Sequence, residues 1–376
     1  MRQGRRVGVA IAVGSLLAAC SRTGSDPVPP STSPPVTEAP TTTTTVVLPQ
    51  PPPVEWRSCD GGFRCATLTV PVDYADPGGP TIDLALIQRP ADDPEARIGT
   101  LVMNPGGPGS SGVRRVRRGF RISDEVAARF DIVGFDPRGV GDSEPIRCGS
   151  SVGAFRALDL APDTPDEQRA REDAAAAVAD ECHRTEGARL AHFGAVDVAH
   201  DVEVLRLALR EDTLSFVGLS YGTRIGLLWA EAYPSSVRSL VLDGVVDPQD
   251  AGTGSSPDQL AAIDQTFSDM AEACTSDPSC PVGPDGGMVA AYDRLAARLE
   301  VAADGATGPT QLTYAFFRAT YGREFWPRFW RGLHGGLRGD LSGIAELARS
   351  FTGLVPYAPF TIITCLDSPH LVGADG

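Results

Sequence analysis

The stretch LSFVGLSYGTRIGLLWA, residues 214–230, predicts a strand, a sharp turn and a helix in direct succession. Its centre is a Gly-x-Ser-x-Gly pentapeptide around Ser220, preceded by an apolar run and followed by apolar residues at helical spacing. In a turn of this kind the serine backbone is strained, and the flanking Gly218 and Gly222 remove side chains that would collide there. We therefore predict that Ser220 is a catalytic nucleophile; the alternative is a serine in an ordinary turn.

A second glycine-rich segment, Asn104-Pro-Gly-Gly-Pro-Gly-Ser-Ser-Gly112, follows a short apolar stretch and is called the glycine loop below. Acyl transfer needs two backbone N–H donors that converge on one oxyanion: one from the residue after the nucleophile, here Tyr221, and one from a loop after an earlier strand. Gly106 and Gly107 would let bare backbone approach that point. Phosphate binding is the alternative, but the spacing of a phosphate-binding loop is absent. The pattern favours an oxyanion site.

Short apolar runs alternate with helical patterns from Trp56 onward, which is typical of a sheet with crossover helices. Beyond about residue 250 the pattern becomes helical without apolar strands. We expect the aromatic residues of this part to pack against the core; a ligand-binding cluster is the alternative. The strands are predicted at residues 65–72, 82–88, 100–104, 131–136, 214–219 and 237–242, and the main helices at 166–186 and 198–210.

Four motifs in this order resemble the tripeptidyl aminopeptidase group of α/β-hydrolases, which is related to prolyl iminopeptidases. They are the glycine loop, Phe135-Asp-Pro-Arg-Gly-Val-Gly-Asp-Ser143, the pentapeptide around Ser220 and Leu240-Val-Leu-Asp-Gly244. The resemblance implies an α/β-hydrolase sheet with a helical lid insertion. It divides the chain into the first part of the core, residues 54–249, the lid, residues 250–360, and the start of a return to the core, residues 361–376.

The same resemblance implies a function. Ser220 would be the nucleophile, Gly107 and Tyr221 would supply the oxyanion hole, and residues 136–143 would form a structural turn near the site. The expected activity is that of an aminopeptidase that releases short peptides from peptide N-termini through an acyl-enzyme, without metal or cofactor. An esterase with the same machinery is the alternative, so the expected substrate is a peptide or a small ester.

The four motifs include neither the acid nor the base of a catalytic triad. In this fold they follow the nucleophile in the order acid, then histidine, but only 156 residues follow Ser220 and the lid takes most of them. We expect the last strands and helices of the fold to be missing. His370 could act with Asp243 or Asp247, whereas Asp367 is too close to it in sequence. A truncated, catalytically silent lipoprotein is the further alternative.

The cysteines suggest an oxidising compartment, and none has the Cys-x-x-Cys spacing of a zinc site. Cys59 with Cys65 and Cys274 with Cys280 could each close a small loop, and Cys148 with Cys182 would clamp a longer segment. This pairing leaves Cys365 alone.

The N-terminus predicts export. Residues 1–20 combine three arginines, a short apolar run and small residues before Cys20, which is typical of a signal peptide and resembles a lipobox with lipidation at Cys20. An ordinary signal peptide is the alternative. Residues 21–53 contain 10 prolines and 8 threonines and predict a disordered tether. We thus expect a lipoprotein anchored to the outer face of a bacterial membrane, and the net charge of −15 gives no reason to expect nucleic acid as a partner.

Overall fold

The computed structural model describes residue 46 and residues 48–120, 122–159, 162, 164–247, 257–301, 307–354 and 356–368. Cys20 and His370 lie outside the described residues, as does most of the expected tether. Within the described part, no helix combines the length and the apolar character that a membrane span requires.

A seven-stranded mixed sheet forms the centre, in the order β1-β2-β3-β5-β4-β6-β7. Strands β2, β3 and β5 pair antiparallel, whereas β5, β4, β6 and β7 run parallel to one another. Six strands match the predicted runs to within two residues. The bounds are β1 Arg57–Ser58, β2 Arg64–Pro71, β3 Thr81–Arg89, β4 Gly99–Asn104, β5 Phe130–Phe135, β6 Leu214–Leu219 and β7 Val237–Asp243.

Helices cover both faces of the central strands and build the lid. Before the lid they are α1 Gly112–Arg117, α2 Asp124–Arg129, α3 Ser151–Ala157, α4 Pro165–Glu186, α5 Ala195–Leu209 and α6 Tyr221–Ala232. The lid comprises α7 Pro257–Ser276, α8 Gly287–Val301, α9 Pro309–Thr320, α10 Trp326–Gly336 and α11 Ser342–Leu354, and the helix after it is α12 Tyr357–Leu366.

Alternation along the strands produces two hydrophobic layers, because successive side chains of a strand point to opposite faces. Phe216 of β6 joins the larger layer, which includes residues of α5, α6 and α12, while its neighbour Val217 joins the layer under α1. The same division separates Val102 from Leu101 and Met103 in β4. Both faces of these strands are therefore covered, as expected for parallel strands.

Strand β7 is the exception, since it lies at the edge of the sheet and has no neighbour on its outer side among the described residues. Val241 in this strand is 54% exposed, and Val245 just beyond it is 59% exposed. Among the described residues, strand β7 thus has an unpaired and partly apolar edge.

The lid has a hydrophobic core of its own. Phe316, Phe329 and Trp330 are buried in it together with Met270 and Leu333. These aromatic residues therefore pack within the lid, and the expectation that they pack against the core of the sheet is wrong. Helix α12 contacts the core under the sheet instead, through Tyr357 and Ile363. The return to the core therefore begins at Tyr357, slightly before the expected residue 361.

The boundary of the tether also needs correction. Leu48 packs against the core and Pro51 is buried. The main-chain oxygen of Pro51 accepts a hydrogen bond from Arg210 Nη2 at 3.2 Å, and Val54 N donates to Ala208 O at 3.0 Å. Among the described residues, packing against the core thus starts at Leu48, ahead of residue 54.

Three predicted disulfides are confirmed: Cys59–Cys65, Cys148–Cys182 and Cys274–Cys280. Cys365 is disulfide-bonded as well, so the expectation that it stays alone is wrong. Pairing cysteines by their separation in the sequence cannot reveal this further bond.

Candidate active site

Ser220 occupies a strained turn between β6 and α6. Its backbone has φ 53° and ψ −123°, a conformation that residues other than glycine rarely adopt. A β-carbon on Gly218 would come 2.4 Å from the carbonyl oxygen of Gly222, and one on Gly222 would come 2.6 Å from that of Asn104. Both glycines are therefore sterically required, and the side chain of Ser220 remains exposed.

The backbone of Ser220 is anchored on both sides. Its N–H donates to the main-chain oxygen of Asp243 in β7 at 2.8 Å, and its carbonyl oxygen accepts from Thr223 N at 2.8 Å and from Thr223 Oγ1 at 2.6 Å. These bonds hold the strained turn in place, since strain of this kind persists only where surrounding contacts enforce it.

The glycine loop lies directly against this turn. A β-carbon on Gly106, whose φ is 82°, would come 2.2 Å from Leu219 O and 3.0 Å from Tyr221 N. Asn104 Oδ1 accepts a hydrogen bond from Gly106 N at 2.9 Å, which shapes the start of the loop. The structure therefore brings the loop that contains Gly107 next to the N–H of Tyr221, where an oxyanion site requires it.

The turn at Asp136 fixes the other end of the glycine loop. The buried Asp136 carboxylate accepts from Ser111 Oγ at 2.5 Å, Val113 N at 3.0 Å and Asp142 N at 2.9 Å. Burial raises the pKa of Asp136, and these hydrogen bonds oppose that rise. The segment 136–143 is a structural turn, as expected, and it ties the loop to the end of β5.

The four described histidines are engaged elsewhere or lie apart from Ser220. His200 Nδ1 is 2.6 Å from Tyr233 OH, His192 lies between Asp73 and Asp197, and His334 contacts Asp285 in the lid. Among the described residues, no hydrogen bond joins Ser220 Oγ to a histidine or a carboxylate. His370, the candidate base, lies outside the described residues.

Asp367 has a role that the sequence reasoning missed. Its Oδ2 accepts a hydrogen bond from Tyr221 OH, and its Oδ1 accepts one from Ala195 N at 2.9 Å. Arg224 Nε lies 3.8 Å from Oδ2. Burial raises the pKa of Asp367, while these partners favour the charged form. An aspartate directly after the apolar run 361–366 was the only local signal of this contact.

Across the described ranges, no group of three or more His, Cys, Asp or Glu side chains is arranged to hold a metal ion. Two concave surfaces of the lid, one lined by Arg331 and Glu346 and the other by Arg294 and Arg338, include neither Ser220 nor the glycine loop.

A model of the alpha/beta hydrolase fold matches residues 99–285. This chain has the α/β-hydrolase fold. Serine protease Hip1 of Mycobacterium tuberculosis is 41% identical to the hydrolase over 248 residues, which cover 62% of this chain and 47% of that protein. Carboxylesterase B of the same species is 34% identical over 326 residues, covering 81% and 62%. Tripeptidyl aminopeptidase of Streptomyces lividans is 38% identical over 208 residues, covering 52% and 38%.

The hydrolase spans about half the length of the curated relatives it matches. These relatives are named as a serine protease, a carboxylesterase and a tripeptidyl aminopeptidase. The resemblance inferred from the four motifs is confirmed.

Proposed function

We propose that this hydrolase cleaves short peptides from peptide N-termini through an acyl-enzyme on Ser220. The hydroxyl oxygen of Ser220 would attack the peptide carbonyl carbon, and the N–H groups of Gly107 and Tyr221 would donate to the resulting oxyanion. The proton of the Ser220 hydroxyl would pass to the leaving amine as the C–N bond breaks. Water would then add to the acyl carbon, which releases the acid and returns a proton to Ser220 Oγ. The close approach of the glycine loop to Tyr221 supports this proposal, since a β-carbon on Gly106 would come 3.0 Å from Tyr221 N, next to an exposed serine.

An esterase is the second candidate, because Carboxylesterase B matches the largest part of this chain among the relatives above. The same hydroxyl and the same donors would attack an ester carbonyl. The two activities differ in the leaving group, since an amine must be protonated to leave and an alcohol leaves more readily.

The export and lipid anchoring predicted from the N-terminus belong to this proposal. The hydrolase would be exported and held at the outer face of a bacterial membrane by a lipid on Cys20, where it would meet peptide or ester substrates. Metabolic labelling with a fatty-acid analogue, compared between the natural chain and Cys20→Ser, tests the anchor; equal labelling of both chains would contradict it.

A fluorophosphonate probe tests the nucleophile. We expect the probe to attach to Ser220, as identified by mass spectrometry of the labelled peptide, and Ser220→Ala to abolish labelling. Ser235→Ala, which changes an exposed serine after α6, is the matched control. Absence of labelling in the natural chain would contradict the proposal and favour a silent lipoprotein. Turnover of aminoacyl amides compared with acyl esters then distinguishes the peptidase from the esterase.

A further inference from the structure

We propose that Asp367 is a positioning residue that holds Tyr221 so that its backbone N–H faces the oxyanion. This inference rests on the proposed function. Tyr221 is the residue after the nucleophile and the first residue of α6, and its side-chain hydroxyl donates to Asp367 Oδ2. One residue thus has its backbone at the reacting centre and its side chain bound to a carboxylate 146 positions further along the chain.

The carboxylate of Asp367 is itself held in a fixed place. Asp367 follows the last residue of α12, and its N–H donates to Ile363 O at 3.0 Å. Oδ1 accepts a hydrogen bond from Ala195 N at the start of α5. A negative charge is favoured there because the first N–H groups of a helix have no acceptor within the helix. The side chain is only 9% exposed. Tyr221 is therefore bonded to a group that has little freedom to move.

Arg224 completes the arrangement from the same helix as Tyr221. Its Nε lies 3.8 Å from Asp367 Oδ2, and its Nη2 donates to the Asp367 main-chain oxygen at 3.3 Å. The first turn of α6 is thus attached to Asp367 through two side chains, at Tyr221 and Arg224. Loss of the carboxylate would release the first turn of the helix that carries the predicted oxyanion donor.

A purely structural role is the competing explanation, in which Asp367 only caps α5 and stabilises the fold. The two explanations differ at Tyr221. If the carboxylate acts through Tyr221, removal of either partner should slow the reaction at Ser220, and removal of both should be no worse than removal of one. Two independent structural effects should instead multiply.

The test uses the full chain and the rate at which a fluorophosphonate inactivates Ser220, measured well below the unfolding temperature. The variants are Tyr221→Phe, Asp367→Asn and their combination. Complete loss of an oxyanion donor costs on the order of 10² to 10³ in rate, and a misplaced donor should cost about tenfold. We expect each single variant and the double variant to lower the limiting rate of inactivation about tenfold, as for a misplaced donor. The dissociation constant of the probe should not change.

Tyr233→Phe is the matched control, because it removes a tyrosine hydroxyl that contacts His200 and not the turn at Ser220. Its inactivation rate should equal that of the natural chain. The positioning role is overturned if the natural chain is labelled and Tyr221→Phe reacts equally fast, or if the two single losses multiply. If Ser220 of the natural chain is not labelled at all, the proposed function fails and the positioning role fails with it.

Discussion

Arg138 and Asp201 form a two-point ion pair inside the core of the hydrolase. Arg138 Nε lies 2.8 Å from one carboxylate oxygen and Nη2 lies 2.6 Å from the other. Tyr74 OH donates to the same carboxylate at 2.7 Å, while Arg138 Nη1 donates to the main-chain oxygens of Val72 and His192. Both charged groups are almost fully buried. The pair therefore joins the turn after β5 to α5 and to the end of β2.

Removing one charge of this pair should destabilise the fold strongly. Arg138→Met leaves Asp201 buried without its cation, and breaking a buried pair in this way costs about 3–5 kcal/mol. Urea unfolding measures the loss. Arg169→Met is the control, because Arg169 pairs with Asp166 on the exposed surface and its loss should leave the unfolding midpoint unchanged. Equal midpoints for both variants would contradict the prediction.

The close approach of the glycine loop to Ser220 predicts a severe effect of one methyl group. In Gly106→Ala the new β-carbon meets Leu219 O at 2.2 Å, in a backbone conformation that alanine rarely adopts. The loop must move, and a displacement of about 1 Å can cost on the order of 10² in rate. Fluorophosphonate labelling measures the loss. Gly353→Ala has open space around it and should label normally; unchanged labelling of Gly106→Ala would refute the proposed contact.

Asp197 should make stability depend on pH. Burial raises its pKa to about 7, and the charges of Asp201, Asp73 and Asp367 add to this against the pull of Arg138. An unfolded aspartate has a pKa of about 3.9, so the folded chain binds the proton more tightly. This contribution is fully present below about pH 4 and is lost as the pH rises through about 7.

Asp197→Asn removes that titration. The free energy of unfolding of the variant should therefore rise relative to that of the natural chain between pH 5 and pH 8, as measured by urea unfolding. The exposed Ser58 provides the control Ser58→Ala, which changes no titratable group, so its difference from the natural chain should be constant. A difference between Asp197→Asn and the natural chain that does not change with pH would rule out a raised pKa at this position.

The disulfides should differ in their contribution to stability. Cys148 and Cys182 are 34 positions apart, whereas Cys59 and Cys65 are 6 apart. The entropy of loop closure gives about 4 kcal/mol for the longer loop and about 2 kcal/mol for the shorter. Replacing each pair by alanines and measuring unfolding tests this order, and a larger loss from the Cys59 and Cys65 pair would reverse it.

The outer edge of β7 should promote self-association. Unpaired strand edges with apolar side chains are templates for pairing with other chains, and a charge at such an edge opposes it. Val241→Arg should therefore lower the weight-average mass seen by sedimentation at high protein concentration. Val289→Arg changes a valine that is 41% exposed on helix α8 and should have no such effect. Equal effects would point to general hydrophobic association.

Features that depend only on residues adjacent in the sequence were predictable. The parallel strands are short apolar runs, and the turn at Ser220 has its glycines within two residues, so local patterns suffice for both. Strand β1 was not predicted because Arg57–Ser58 is polar and only two residues long. Helix α12 contains the β-branched run Thr361-Ile-Ile-Thr364, and its packing on the core outweighs its strand propensity.

Contacts between distant residues that no motif or cysteine spacing links were not predictable. Asp201 lies 63 positions from Arg138, and Asp367 lies 146 positions from Tyr221. A single sequence carries no signal that pairs such residues, because a buried carboxylate and an exposed one look alike until the chain is folded. The same reason explains the error at Cys365.

The surroundings of the glycine loop have a consequence for biosynthesis. Ser110 Oγ donates to Leu354 O, 244 positions further along the chain, and Gly109 lies so close to Pro359 that a β-carbon would come within 3.0 Å of it. A ribosome releases the N-terminal part of a chain first. The nascent chain therefore carries Ser220 through more than a hundred further steps of translation before the glycine loop can meet Leu354 and Pro359, so the order of synthesis itself delays the packing of this loop.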